Sequence, residues 1–340
     1  MEASGANRLV KLVDGKKQLC VSYSQIEMFK QCPYKWYLSY VKGIYKEQKQ
    51  EALSYGSAVH KTLEFFFNNK KMVLGQRLAD AMTYYLYQED VPWNSTESML
   101  EGGRDALNLV GWISKVCRYH GGKYDIPDNE IGPFGFLVRY GKVVGVEESF
   151  FLPYRLKEPV AILGDMYDKV WINGSVDLHL VLERKGTEEH YVIDWKSGRK
   201  SFDEKKLQTN LQHPIYSFYI LRRYGVLPKN NLYFFTRLLE YQKVLVDKER
   251  VKKSVEDLNS TFSDMYEINK KTVSDFNGYF EDWVGGYKKY GWRSCTLNSP
   301  VKRNMRPCPS ALCYYCDFGK HGSGECPYSS DWDPSKKKKV

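Results

Sequence analysis

Apolar and polar positions follow two periods along this chain, a helical one towards both ends and a two-residue alternation through the middle. Where the period is helical, apolar residues return every three to four positions, the spacing that gives a helix one buried stripe. Ser24 to about Phe29 reads as a first helix, with Ser24 as N-cap and Glu27 completing a capping box. It passes through Cys32-Pro33 into Tyr34–Val41. Leu53–Asn68, Gly75–Gln88 and Gly102–His120 follow as helices, the last with Leu107, Val110, Ile113 and Val116 on one core-facing stripe. From near Phe136 the alternation takes over, and 143–152, Tyr167–Ile172, Val176–Glu183 and Tyr191–Lys196 read as strands. A helix from about Asp203 to Tyr224, strands at Leu232–Phe235 and Lys243–Val246, and helix again over 248–290 complete the pattern. The expected fold is therefore α/β (α+β), a mixed sheet flanked by helices. Its expected organisation is an irregular or strand-like lead-in (1–20), a helical region (21–135), a core of sheet and helix (136–247), a cysteine-bearing C-terminal segment (248–330) and a basic tail (331–340).

The alternation also sorts the chemistry. Side chains along a strand point to opposite faces in turn, so Asp194 and Lys196 share one face while Ile193 and Trp195 take the other. If Val176–Glu183 and Tyr191–Lys196 fold back around Lys185-Gly186, Asp177 and Asp194 are equidistant from the turn and become cross-strand partners. Directly opposed residues hold their Cβ atoms roughly 4.5–5.5 Å apart, and like charges there are destabilising. Something positive belongs between such carboxylates, and a divalent metal suits the place. The pairing depends on the register, which a bulge between Arg184 and Glu189 would shift, leaving two solvent-facing strand aspartates.

Composition changes this picture in three ways. The 340 residues are 42% hydrophobic and 15% aromatic, enough to bury a large core. A formal charge of +10 and a pI near 9.0 suit a polyanionic partner. The 27 tyrosines and 8 tryptophans, mostly core, can also supply surfaces for stacking unpaired bases. No apolar run has the length of a membrane helix and residues 1–15 hold no signal-peptide core, so a cytoplasmic protein without a membrane partner is expected. In that compartment eight cysteines point to metal or cluster ligation rather than disulfides. Gly141-Lys142 lacks the glycine spacing of a phosphate loop, which argues against an ATP-driven motor.

Two helical motifs add to the strand pair. Gly56, His60 and Glu64 stack on one helical face, with Gly56 allowing something to approach closely one turn before the histidine. Gln212-His213-Pro214-Ile215-Tyr216 opens a helix after the Lys196 strand, with Gln212 and Tyr216 one turn apart. In order, the chain carries Gly-x-x-x-His, Gly-x-x-Asp, Asp-x-Lys and Gln-x-x-x-Tyr. That order resembles the RecB-like branch of the PD-(D/E)XK nuclease superfamily. Cys32-Pro33-Tyr34-Lys35-Trp36-Tyr37 and Cys313-Tyr314-Tyr315-Cys316-Asp317-Phe318 narrow the resemblance to its iron–sulfur members. Those are the AddB-type nuclease domains and the CRISPR-associated iron–sulfur exonucleases also found in phages.

The resemblance implies a restriction-endonuclease-like sheet and a metal-dependent DNA exonuclease, acting on single strands or duplex ends in recombination, repair or phage DNA processing. It implies His60, Asp177, Asp194 and the Trp195 backbone carbonyl as ligands of Mg²⁺ or Mn²⁺, the histidine favouring Mn²⁺. Lys196 would orient or activate the attacking water, while Gln212 and Tyr216 position the scissile strand. Glu148 is a candidate outer carboxylate of lower rank. Cys32, Cys313, Cys316 and Cys326 would hold a [4Fe–4S] cluster that closes the C-terminal segment on the N-terminal one. Nine residues separate Cys316 from Cys326, and Cys308 is a surplus candidate, so a structural Zn²⁺ held by Cys308, Cys313, Cys316 and Cys326 is the alternative. DNA is the implied partner, with a helicase or single-strand annealing protein beside it. Two other readings stand against the exonuclease: a non-catalytic DNA-binding subunit with a nuclease-like fold, and a structure-specific endonuclease of the same superfamily.

Overall fold

The computed structural model describes residues 9–13, 15–41, 43–44, 50–69, 71–162, 165–267, 316–318 and 326. Cys308, Cys313, the expected helix beyond 267 and the lysine tail at 336–339 lie outside these residues. In chain order the elements are β1 (Val10–Val13), β2 (Lys16–Ser22), α1 (Tyr23–Gln31), α2 (Pro33–Trp36), a π-turn (Tyr37–Val41), α3 (Glu51–Asn68), α4 (Gln76–Gln88) and α5 (Thr96–Cys117). They continue with β3 (Tyr119–His120), β4 (Lys123–Tyr124), α6 (Gly132–Tyr140), β5 (Lys142–Ile162), β6 (Asp165–Arg184) and β7 (Thr187–Lys196). The last are α7 (Glu204–Thr209), α8 (Gln212–Tyr224), β8 (Asn230–Phe235), β9 (Glu240–Val244) and α9 (Lys248–Glu267). Among the described residues no helix is long and apolar enough to cross a membrane.

Two compact units divide the chain, one of Met1–Glu47, Phe151–Asn173 and Val255–Val340, the other of Gln48–Phe150 and Gly174–Ser254. In the first, β1 and β2 form an antiparallel hairpin about Gly15, whose φ of +74° suits glycine, and β2 pairs in parallel with β6 at Cys20–Trp171. The expected cap at Ser24 moves two residues back. Ser22 ends β2 in extended backbone, and its hydroxyl accepts the N–H of Gln25 at 3.3 Å, so the helix begins at Tyr23. Cys32 ends α1 and starts α2, with Pro33 in the first turn, where its missing N–H costs nothing.

The second unit is built on the β6–β7 hairpin. Seven uninterrupted pairs run from Arg184–Thr187 to Leu178–Ile193, so no bulge shifts the register. Lys185 and Gly186 both have positive φ, +50° and +74°, as a two-residue type I′ turn requires. β7 pairs in parallel with β8 and β8 antiparallel with β9, giving a mixed sheet. The crossover between β7 and β8 is two helices rather than the single 203–224 helix expected, because the Asn210 side chain accepts the N–H of Gln212 at 2.8 Å and restarts the helix there. Residue 136 lies in α6, not at the start of the sheet: Phe134, Leu137 and Val138 are buried at helical spacing, and the strand opens at Lys142. On α5 the buried stripe is Ala106, Leu109, Val110, Ile113 and Val116, and Leu107 is 65% exposed. It stands next to two core positions, at an angle the stripe does not cover.

One face of this sheet carries the core. Leu178, Leu180, Ile193, Trp195, Leu232 and Phe234 pack with Val59, Leu63 and Phe66 of α3 and Leu109 and Ile113 of α5. Trp195 stacks on Phe67 with ring centroids 5.7 Å apart. The alternate residues Tyr233 and Phe235 face the other way and pack with Phe202 and Leu207.

Candidate metal centre

α3 is held against the sheet by Val59 and Leu63, which leaves His60 at the margin of that buried stripe. Gly56, one turn earlier, is where the helix meets the chain just past β7. A Cβ at 56 would lie 2.8 Å from the Ser197 hydroxyl, so the close approach the sequence suggested is made to Ser197. Gly174 has a similar reason: a Cβ there would lie 2.7 Å from the Phe150 ring.

The paired strands stop at Leu178–Ile193, and the next step of the same register opposes Asp177 to Asp194. The Asp177 carboxylate accepts the backbone N–H of Trp195 at 2.7 Å. His60 Nδ1 lies 3.0 Å from Glu147 Oε1 and 3.8 Å from Asp177 Oδ2. One ligand atom from each of His60, Glu147 and Asp177 falls within 4.8 Å of the other two. Ser175 donates to the second Glu147 oxygen at 3.3 Å. On the other strand, Lys196 Nζ stands 2.6 Å from Asp194 Oδ2 and donates to Gln212 Oε1 at 3.0 Å. Gln212 donates to the Tyr216 hydroxyl at 2.9 Å, and Tyr216 donates to Asp194 Oδ1 at 3.4 Å. The Lys196 ammonium touches Asp194 Oδ2 as an ion contact, without the alignment of a hydrogen bond.

Both aspartates are buried, 6% exposed at Asp177 and 1% at Asp194. Burial pushes the Asp177 carboxyl well above the usual range, the neighbouring Asp194 and Glu147 push it further, and His60 pulls it back. Burial lowers the His60 imidazole, but the hydrogen bond to Glu147 and the charges of Asp177, Glu147 and Asp194 outweigh it and raise it to about 9. Burial and the two aspartates hold the Tyr216 hydroxyl protonated, far above its ordinary range. A site that favours a proton on histidine this strongly favours positive charge at that point. Its donors are one nitrogen and a group of carboxylate oxygens, the set that suits a hard or borderline divalent ion.

The sequence profile of the PD-(D/E)XK nuclease superfamily matches residues 20–320. The chain belongs to that superfamily. Its mixed sheet flanked by helices is accordingly the restriction-endonuclease-like core, and PD-(D/E)XK proteins are nucleases that act on DNA with divalent metals such as Mg²⁺ or Mn²⁺. The His60–Glu147–Asp177 group fits such an ion, with three donors converging and buried acidic charge around them.

Of the residues predicted from the sequence of this PD-(D/E)XK chain as catalytic, Asp194, Lys196, Gln212 and Tyr216 stand in one ring of contacts, and Asp177 reaches the Trp195 N–H beside it. Of the predicted ligands, His60 lies 3.8 Å from Asp177, and Trp195 contributes its N–H while its ring turns into the core. Of two adjacent glutamates, Glu147, which the sequence did not single out, lies beside His60, and the candidate outer carboxylate Glu148 does not. Glu147 has a φ of +46°, rare for a side chain with a Cβ, and this kink in β5 directs it to His60. Glu148 instead accepts from the Tyr219 hydroxyl at 2.7 Å and pairs with Arg223 at 3.1 Å. Two adjacent glutamates in a strand signal that one faces each way; which one faces His60 is decided by the kink.

The cysteine site belongs to the first unit. Cys32 lies close enough to Cys316 to act on it electrostatically, and Lys35 pairs with Asp317 at 3.3 Å. Burial raises the Cys316 thiol, and a hydrogen bond with the Phe318 backbone pulls it down. The Cys326 N–H donates to the Phe318 carbonyl at 2.7 Å, which brings the later cysteine back to the 316–318 turn. Cys32 and Cys326 thus each lie near the 316–318 turn that carries Cys316. Cys313 and Cys308 lie outside the described residues.

Proposed function

We propose that this chain is a DNA exonuclease of the RecB-like, iron–sulfur type, hydrolysing phosphodiester bonds on single strands or duplex ends during recombination, repair or phage DNA processing. The observation that carries the proposal is the ring of contacts joining Asp194, Lys196, Gln212 and Tyr216, beside which Asp177 lies 3.8 Å from His60 and accepts the Trp195 N–H. His60, Glu147, Asp177 and Asp194, with the Trp195 carbonyl, would hold Mg²⁺ or Mn²⁺. Such an ion, when bound, supplies a water of lowered pKa and offsets charge on the phosphoryl oxygens.

The protein's own groups do the rest. The Lys196 ammonium, fixed between Asp194 and Gln212, orients the attacking water and donates towards the charge that develops on the phosphate. Tyr216 keeps its proton, donates it to Asp194 and accepts from the Gln212 amide, which leaves the second Gln212 N–H for the strand to be cut. Burial of both aspartates excludes bulk water and strengthens each of these interactions. Cys32, Cys313, Cys316 and Cys326 hold a [4Fe–4S] cluster in this reading, as a structural clamp.

The test is cleavage of end-labelled DNA by purified protein with Mn²⁺ or Mg²⁺. Shortening of linear strands, with closed-circular single-stranded DNA left whole, is expected. Nicking of the circle makes the protein an endonuclease. No product with either metal, despite tight DNA binding, replaces the enzyme with a non-catalytic subunit. Iron and sulfide in anaerobically purified protein support the cluster, and stoichiometric zinc overturns it.

A further inference from the structure

The outer side of α3 and α4 carries a second feature that the metal centre leaves unused. Between the helices lies a cleft of about 420 Å³, within the roughly 300–1,000 Å³ usual for small-ligand sites. Its walls are the rings of Phe65, Tyr84 and Tyr85 and the amides of Asn68, Asn69 and Gln88. Tyr84 is 56% exposed and Tyr87, three residues along the same helix, is 79% exposed. Residues at that spacing are neighbours on the helix surface, and here both are largely exposed. Tyr85 meets Tyr84 edge-on at 5.3 Å and props its ring.

The charge of the cleft decides what it takes. Lys61 is already paired with Glu89, and Glu64 adds a further carboxylate, so the walls offer no free cation for a phosphate. Uncharged rings and amides match the faces and edges of a nucleobase instead. Position completes the argument. Glu64 is one turn and Asn68 two turns beyond His60 on α3, about 6 and 12 Å along the axis, the reach of about one to two nucleotides of an extended strand.

We propose that the α3–α4 cleft stacks an unpaired base of a single strand whose backbone lies at the metal centre, with Tyr84 as the platform and Tyr85 propping it. This rests on the nuclease reading, because the strand must pass His60. The subsite recognises bases without regard to their identity and excludes a strand that stays paired.

The experiment measures binding of an end-labelled single strand of about 20 nucleotides by fluorescence anisotropy, with Ca²⁺ to prevent cleavage. A strand of the same length made of abasic sites carries the same charge and no bases. Tyr84→Ala is expected to weaken binding of the normal strand about fivefold to a hundredfold, and to leave binding of the abasic strand unchanged. Tyr84→Trp should restore or tighten it, which separates stacking from a folding defect. With Mn²⁺ the same alanine variant should raise KM and keep kcat. Equal affinities of Tyr84→Ala and wild type for the normal strand would overturn the subsite and give the tyrosines to a protein partner, while wild-type cleavage still supported the nuclease. Wild-type protein that bound the strand without ever cutting it would instead remove the nuclease reading.

Discussion

Two histidine environments, one on α3 and one on β6, reach opposite electrostatic ends. His60 and His179 both lose solvation on folding, and desolvation pushes both downwards. His179 goes to about 4, lowered by burial and then by the neighbouring His190, whose Nδ1 lies 2.9 Å from its Nε2, with the Tyr224 ring 4.9 Å away. His60 goes the other way, to about 9, because three carboxylates surround it. Asp177 is only two residues from His179, and strand alternation puts them on one face of β6. Burial alone therefore makes a histidine neutral, and buried acidic charge makes its position a seat for a cation. The contrast separates a structural histidine from a candidate ligand better than burial or hydrogen bonding does.

Removing the acidic charge should collapse the contrast. Asp177→Asn and Asp194→Ala are expected to abolish Mn²⁺ binding measured by calorimetry and to cut the cleavage rate by about a thousandfold or more. Lys196→Ala should lose as much activity while keeping DNA affinity. His179→Phe, equally buried, should alter neither metal binding nor cleavage. If His179→Phe lost Mn²⁺ and Asp177→Asn kept it, the assignment of the two environments would be reversed.

Acid should act on the other member of the pair. His179 binds its proton less readily folded than unfolded, so between pH 6.5 and about 4 the unfolded chain takes up more protons. Stability is then fully present above pH 6.5 and falls as the pH drops through this window, by about 3 kcal/mol for this residue. The raised Asp177 carboxyl works in the opposite sense, since the folded chain holds that proton more tightly. The informative quantity is thus the difference between wild type and His179→Phe in urea unfolding from pH 7 to 4. Stability of wild type relative to His179→Phe that rises with pH supports the account, and parallel profiles would sink it.

Much of this site was legible because its geometry is local. The separation of Asp177 and Asp194 from Lys185-Gly186 determines their opposition once the turn is two residues long, and the positive φ values there are what a Lys-Gly pair can adopt. Asp194 and Lys196 follow from alternation, and Gln212 and Tyr216 from one helical turn. The failures have a different cause. Placing residue 136 in a strand ignored Phe134, Leu137 and Val138, whose spacing is helical but too short to stand out among apolar neighbours. Ser22 and Ser24 are equally good caps by type, and only the end of β2 chooses between them. Leu107 shows that an apolar residue near a stripe is not thereby on it. Glu147 escaped because the kink that aims it is a backbone outlier, and nothing in Val146-Glu147-Glu148 announces a positive φ.

That last case gives the smallest and sharpest test of the comparison, since two glutamates joined by one peptide bond fall on its two sides. Glu147 touches His60, whereas Glu148 is tied to Tyr219 and Arg223. Glu147→Gln keeps a side chain able to hydrogen-bond His60 and removes only the charge. It should lower cleavage by about tenfold to a hundredfold at limiting Mn²⁺, with partial recovery as Mn²⁺ is raised. Glu148→Gln keeps the acceptor for Tyr219 and should leave both rate and metal dependence unchanged. Equal losses in the two variants would mean that the charge of the whole segment, rather than its kink, matters to the centre. A loss confined to Glu147→Gln would show that one unfavourable backbone angle is retained because it brings a carboxylate to the cation's seat, a cost of about 1–3 kcal/mol that the core beneath β5 must offset.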